Sequence, residues 1–313
     1  MNLFHGGFSA DGADLLARPE KVAEKRPGAQ TLRLTLYGAR LAVIIKKQKT
    51  EINNAGAGLK SRAKAYSTAE ISGLQFQPPA PIGQGSGEIK QMKGYIKHIF
   101  KTREEWLKNR VKGIGGSEAA AVLGLSKWLS NYDLWRIKTG KMKRKSISDK
   151  DYVQYGIKAE PLIRGLFALD NPQYEVIYDE FNSYQNKEFP FLLGSIDGLL
   201  KEKATGRLGL YEGKKADLYG KRTAEEWDGK VPQAYYCQVL HYFIVIPDLE
   251  FAVLNAQLKT LSAGKVVRTE LRPYYFERKD CLADIAYLKE AEIKFWTENV
   301  LKNKAPARIL PEI

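Results

Sequence analysis

Three charged residues set in otherwise apolar, strand-like text constrain this chain most. Asp197 lies in LLGSIDGLL (192–200), and Glu212 and Lys214 lie in LGLYEGKKA (208–216). Apolar runs of this kind bury at least one face, and a carboxylate taken out of water without a partner is costly. Residues two apart in a strand project from one face, so a strand over Leu208 to Ala216 presents Glu212 and Lys214 together. Asp197, on the neighbouring strand, is then within reach. A further carboxylate, Glu160, sits in YGIKAEP within the helical run that precedes them. Each has an ordinary reading alone: Asp197-Gly198 as a turn, Glu212 and Lys214 as a solvated or salt-bridged pair on an edge strand, Glu160-Pro161 as helix surface. Their joint arrangement favours a site. Carboxylates beside a lysine offer oxygen ligands to a hard divalent cation such as Mg²⁺, with Mn²⁺ as a substitute. Such an ion lowers the pKa of a bound water and neutralises charge building on a phosphoryl oxygen, while Lys214 orients the nucleophile or stabilises the transition state. That is the chemistry of phosphodiester hydrolysis.

The charge balance agrees with a phosphate-rich partner. Fifty Lys and Arg against 36 Asp and Glu give +14 over 313 residues, which points to a polyanion and first to nucleic acid, although basicity alone does not separate DNA from RNA or anionic lipid. Only Cys237 and Cys281 are present, too few for a disulfide framework, in keeping with a reducing cytoplasm. No apolar run approaches the ~20 residues that span a bilayer, and the first residues lack a basic segment followed by an apolar one. A cytoplasmic place in a bacterial or phage-infected cell is expected, with no membrane association.

Two regions differ in texture. Residues 1–91 carry +6 of the net charge, one β-like run (Thr31 to Ile45) and a linker-like QFQPPAPIGQGSG, with no constellation that bears chemistry. They read as a poorly ordered or non-native extension ahead of a folded domain at 92–313, with Met92 as an internal start. From there the pattern predicts an α/β fold, a mixed sheet flanked by helices. Helices are expected over Arg103 to Val111 behind a Thr102/Glu105 capping box, from Ser117 to Gly124, and from Tyr132 to Thr139. A longer one spans Tyr152 to Asp170, with Ile157, Leu162, Ile163, Leu166 and Phe167 as its apolar positions. Strands follow over Tyr174 to Phe181, Leu192 to Leu200 and Leu208 to Ala216. A buried helix runs from Gln233 to Ile246, a hairpin closes around Ser262-Ala263-Gly264, and a helix ends the chain over Leu282 to Leu301. His98 and His241 have no second ligand at metal spacing. The basic stretches Lys141 to Lys145 and Lys221-Arg222 read equally as phosphate trackers or as solvated faces.

The order Asp197, then Glu212-x-Lys214, resembles the PD-(D/E)xK nuclease signature, with Ser195-Ile196-Asp197 where many members carry Pro-Asp. Flanking text sharpens the resemblance. WLKNRVKGIGGSEAAAVLGLSKW (106–128) is similar to the first motif of the YqaJ-like viral recombinases, relatives of the phage lambda-type exonuclease, although Lys127 stands where relatives often carry Pro. YGIKAEPLIRGLF is similar to that family's helical Glu motif, and QAYYCQVLHYF to its Gln-x-x-x-Tyr helix, carried by Gln238 and Tyr242.

The resemblance implies a restriction-endonuclease-like core and a 5′→3′ exonuclease that resects linear duplex DNA to leave 3′ single strands for phage-type recombination. By carry-over, Asp197, Glu212 and the Gly213 carbonyl would ligate Mg²⁺ and Glu160 would complete or assist the shell. Lys214 would activate the attacking water, and Gln238 would orient the site. Arg110 and Ser117 have the spacing of the pair that grips the terminal 5′-phosphate in lambda-type enzymes, and Ser195 matches a further phosphate contact. Gly116-Ser117 at a helix start supplies free N–H groups suited to a phosphate, Ser117 alone being readable as an N-cap. A ring-shaped homotrimer around DNA and a single-strand annealing protein are the implied partners. The alternatives are a structure-specific endonuclease of the same core and a DNA-end-binding protein without catalysis.

Overall fold

A computed structural model of the protein describes residues 94–144 and 146–309; the expected extension over 1–91 and Lys145 of the basic loop lie outside the described residues. In chain order the elements are β1 Tyr95–Ile99, α1 Arg103–Arg110, β2 Ile114–Gly115, α2 Gly116–Val122, α3 Asn131–Lys138, α4 Asp151–Asp170, β3 Tyr174–Ile177, β4 Asn182–Asn186 and β5 Leu192–Gly194. There follow β6 Gly198–Glu202, β7 Leu208–Leu218, α5 Lys221–Glu225, α6 Gln233–Val245, β8 Phe251–Ser262, β9 Lys265–Glu277 and α7 Leu282–Lys294. The α/β class and the mixed sheet flanked by helices are as expected. Among the described residues no helix is long and apolar enough to cross a membrane.

The larger sheet has the order β3-β6-β7-β8-β9, antiparallel except for the β7–β8 pair. β8 and β9 turn on Ala263 and Gly264, both at positive φ (47° and 75°), the two-residue hairpin geometry that suits strand twist. Helix α6 is apolar all round and buried from Tyr236 to Val245, as a helix enclosed by protein must be. It packs against α2, α7 and β5. Local caps set the helix starts. Thr102 accepts the Glu105 amide at 3.2 Å at the head of α1, and the Glu118 carboxylate accepts the Gly115 amide at 3.0 Å at the head of α2. The N-cap of α2 is therefore Gly115, and Ser117 lies inside the first turn.

A smaller sheet, β1-β4-β5-β2, was not foreseen, for two physical reasons. The run Leu192 to Leu200 reads as one strand but splits: β5 belongs to the smaller sheet and β6 to the larger, with Ser195-Ile196-Asp197 crossing between them. Strand β4, NSYQN, has too little apolar character to be recognised, yet Asn182, Ser183, Tyr184 and Asn186 are buried. Its amides replace the missing apolar contacts with backbone hydrogen bonds. Asn186 Nδ2 donates to the Ile244 carbonyl at 2.8 Å, and Asn182 bonds Ile196 in both directions at 2.9 and 3.0 Å.

Helix α4 corrects a second expectation. Ile163 and Phe167 are buried, Phe167 on the Tyr211 ring at 4.9 Å, but Ile157, Leu162 and Leu166 are about half exposed or more. Residues 159, 163 and 167 repeat every four positions and form the inward stripe; 162, 166 and 169 lie on a flanking stripe about 60–120° round the helix. The terminal helix also ends early, giving way to a π-helical stretch, Phe295–Val300, that buries Trp296 against Phe191 at 5.1 Å.

Gly113 marks the tightest approach before the smaller sheet. A Cβ there would stand 2.2 Å from the Phe191 carbonyl oxygen, which is backbone and cannot swing aside. Gly113→Ala is expected to cost about 1–3 kcal/mol as an overpacking substitution, read as a lowered midpoint in chemical denaturation. A midpoint equal to the parent's would show that β2 and β5 are not joined in this way.

Candidate active site

The two sheets meet along an open cleft of about 700 Å³. Ten of the eleven residues singled out from the sequence line it: Arg110, Ser117, Glu160, Ser195, Asp197, Glu212, Gly213, Lys214, Gln238 and Tyr242. Gly116 does not. A Cβ on it would meet the Tyr242 ring at 2.7 Å, so a glycine there lets α2 lie against that ring.

Asp197 stands in the crossing segment rather than on a strand, and hydrogen bonds hold that segment on every side. His241 meets the Leu193 carbonyl at 2.9 Å, the Tyr242 hydroxyl donates to the Ser195 carbonyl at 2.7 Å, and Trp106 Nε1 donates to Ser195 Oγ at 2.9 Å. Asn182 fixes Ile196, and Arg164 donates to the Asp197 carbonyl at 3.0 Å. The Asp197 carboxylate itself accepts the Gly213 amide at 2.8 Å.

Glu212 and Lys214 share one face of β7, as alternation requires, and their side chains are in direct contact. Gln238, from α6, donates to the same Glu212 Oε1 at 2.6 Å and to the Tyr242 hydroxyl at 2.9 Å. Oε1 therefore carries two donors, while Oε2, in a residue only 2% exposed, has no hydrogen-bond partner among the described residues. Burial, reinforced by the nearby Asp197 charge, pushes the Glu212 carboxyl up to about 8 against the pull of Lys214. Burial likewise raises Asp197, against Lys214 and the Gly213 amide. Burial alone would lower the Lys214 ammonium, but Glu212 and Asp197 carry it upward, so it stays charged. Glu160 is raised by burial and by Asp197. Its Oε1 accepts from Arg164 at 3.0 Å, so it faces the cleft through that guanidinium.

This donor set fits a divalent cation. Among the described residues no three His, Cys, Asp or Glu side chains form a closed cage, but Mg²⁺ ordinarily takes one or two carboxylates and completes its shell with water and substrate phosphate. The unpartnered Glu212 oxygen is the kind of buried acceptor that demands an explanation, and a cation supplies one. In an extended strand the N–H and C=O of one residue leave the same edge, so the Gly213 carbonyl faces the side from which its amide meets Asp197.

Arg110, Ser117 and Ser195 line the same cleft. The Arg110 guanidinium lies over the Trp106 ring at 4.5 Å, and the same ring's N–H fixes the Ser195 hydroxyl. Arg164 is the functional candidate that sequence reasoning missed. It sits one turn after Glu160 on α4, a spacing that marks ion pairs on helices, and its guanidinium covers Tyr178 at 3.5 Å. Also missed was the cluster beneath α2, where Glu118 pairs with buried Lys138 at 2.8 Å and with Arg144 at 3.0 Å. Arg144 of the basic loop is thus partly neutralised. His241, rightly set aside as a ligand, meets two acceptors, Glu292 at 2.7 Å and the Leu193 carbonyl, and is a structural cross-link.

The raised carboxyl gives a pH signature. The fold holds a proton on Glu212 up to about pH 8, whereas a free glutamate releases it near 4.5. The native state thus binds more protons across that window, and stability falls as pH rises through it. In metal-free buffer the melting temperature is expected to decline from pH 5 to pH 9. Added Mg²⁺ is expected to raise it more at the alkaline end, where the ion no longer competes with a proton. A Mg²⁺ effect independent of pH would remove these carboxylates as its site.

Comparison with known proteins shows the family. Residues 105–248 match the family model of the YqaJ-like viral recombinase domain. The YqaJ protein of Bacillus subtilis (strain 168) is 31% identical over 223 residues, which make up 70% of this chain and 63% of that protein's length. Among solved structures, an alkaline exonuclease (LHK-Exo) from Laribacter hongkongensis is 20% identical over 64% of this chain and 97% of its own, with a TM-score of 0.43. A phage-related exonuclease from Haemophilus somnus 129PT is 13% identical over 61% of this chain and 96% of its own, with a TM-score of 0.39. Residues 105–248, which include Asp197, Glu212, Lys214 and Gln238, thus form a YqaJ-like viral recombinase domain.

Proposed function

We propose that this protein is a divalent-metal-dependent deoxyribonuclease acting as an exonuclease on linear duplex ends, in the 5′→3′ direction, leaving 3′ single strands. The observation that carries the reading is the meeting of Asp197, Glu212 and Lys214 in one cleft, with a buried Glu212 oxygen left unpartnered. A protein that only held DNA would have no use for two carboxylates where phosphates must approach. The family match is in keeping with this activity.

Asp197, Glu212 and the Gly213 carbonyl would hold the ion. When bound, Mg²⁺ or Mn²⁺ supplies a water of lowered pKa and neutralises charge on the scissile phosphoryl group. Gln238 and Lys214 occupy Glu212 Oε1, which leaves Oε2 as the oxygen that would ligate the ion. Lys214 has N–H donors beyond the one given to Glu212, and as a charged ammonium it orients the attacking water and stabilises the phosphorane-like transition state. Arg164 neutralises Glu160 and fixes the Asp197 backbone, so the acidic centre holds its shape as phosphate enters. Ser195 accepts from Trp106 and so keeps its own proton to donate to a phosphate oxygen, next to Arg110 and Ser117 on the same wall. A 5′-terminal phosphate is the ligand this wall suits, and it would select ends over interior sites. A single-strand annealing protein and a homotrimeric ring belong to this reading as its partners.

The test is incubation with Mg²⁺ and linear duplexes bearing 5′-phosphate or 5′-hydroxyl, alongside a closed circle. The expected outcome is degradation of linear DNA, faster with the 5′-phosphate, absent in EDTA and absent on the circle. Cleavage of the circle would establish an endonuclease instead. Binding without any cleavage would establish a non-catalytic end binder. Lys214→Ala is expected to lower the cleavage rate by at least about 10²-fold, the scale of losing one transition-state donor, with duplex affinity retained. Full activity in that variant would remove Lys214 from the chemistry.

A further inference from the structure

Beyond the cleft, two lysines converge on one tyrosine. The ammonium groups of Lys215 on β7 and Lys259 on β8 lie 4.5 Å and 3.7 Å from the ring centroid of Tyr155 on α4. The ring is fixed from its far end by a 2.9 Å hydrogen bond from its hydroxyl to Gln257 Oε1. Lys215 donates to the Tyr152 carbonyl at 3.3 Å. Among the described residues neither lysine forms an ion pair, although the basic residues around them in sequence mostly do. The nearest acid by strand register, Asp217 opposite Lys259, accepts from the Tyr219 hydroxyl instead.

Two like charges held against one ring repel, and the ring's negative face offsets only part of that cost. The arrangement is complete only with an anion. Lys215 also lines the cleft that holds Asp197 and Glu212, so the pair continues that cleft along the end of β7 and β8. We propose that Lys215, Tyr155 and Lys259 form a backbone-binding step for duplex DNA outside the reaction centre, in which the two ammonium groups grip consecutive phosphates. The proposal rests on the nuclease reading and adds to it a route for the DNA along the ends of β7 and β8. Arg144 and Lys221 are already paired with Glu118 and Glu225. The step reads no sequence, since phosphate contacts position a duplex without specifying bases.

The salt dependence of binding tests this directly. Duplex affinity is measured over a range of NaCl in EDTA, with the DNA recovered intact as a control, for the parent, Lys259→Ala, Lys259→Arg and Lys215→Ala/Lys259→Ala. Each phosphate contact contributes about 0.9 to the slope of log K against log salt. The slope is expected to fall by about 1 in Lys259→Ala and about 2 in the double variant, and to be kept in Lys259→Arg. A 5′-phosphorylated dinucleotide, too short to leave the cleft, should bind Lys259→Ala as it binds the parent. An unchanged slope in both Ala variants with normal melting temperatures would overturn the step, and so would a dinucleotide affinity that falls in parallel. A parent protein that binds duplex but fails to cleave it with Mg²⁺ would sink the nuclease reading while leaving the binding step standing.

Discussion

Where β6 parts from β7, the amide of Gly213 loses its place in the ladder, and a carboxylate oxygen of Asp197 takes it at 2.8 Å. Much of the site depends on this bond. It closes the larger sheet at the point where the chain has just arrived from the smaller one, and it sets an acidic side chain beside Glu212 and Lys214 without a strand position to hold it. A backbone amide left without a partner at the end of a sheet ladder is costly where water is partly excluded, so the geometry that serves the sheet also fixes the carboxylate. Structure and candidate chemistry use the same atoms here.

The charges are assembled at the expense of the folded state. Glu212 is nearly enclosed, with one oxygen doubly bonded and one bare. Buried ion pairs seldom repay their desolvation, and a well-packed apolar cluster would hold the sheet at least as well. The surrounding polar bonds therefore serve orientation. Gln238, Tyr242, Trp106, Asn182 and Arg164 each spend a hydrogen bond on the position of a carboxylate or of the segment that carries one. Polar arrangements of this kind, set where apolar packing would serve the fold as well, are what functional sites retain.

Much of this was legible in the residues. Asp197, Glu212 and Lys214 stood out because charge in an apolar strand has no cheap explanation, and β7, α6 and the β8–β9 hairpin followed from pattern and turn chemistry. What escaped was mostly polar structure inside the protein. β4 is buried through asparagine side chains that bond backbone, so hydropathy could not find it. The split of LLGSIDGLL into two sheets depends on Asn182, distant in sequence, drawing Ile196 away. Three of the five positions of the predicted stripe on α4 are exposed because two periodic sets coexist on that helix and only tertiary contact selects between them. Arg164 was visible as the partner of Glu160 one turn on, but its reach to the Asp197 carbonyl was not.

Helix α6 meets three different elements with three side chains: Gln238 reaches Glu212 on β7, His241 reaches Leu193 on β5, and Tyr242 fills the space left by Gly116 on α2 and Gly194 on β5. A single residue added to or removed from this helix would turn everything beyond it by about 100° and break the three appointments at once. The connection before it is anchored at Trp227, buried against Tyr235 and Tyr274 with its carbonyl accepting from Arg272 and Tyr274. Length variation among descendants of this chain should therefore fall on the exposed turn before that tryptophan, while α6 keeps its count of residues even where its composition drifts.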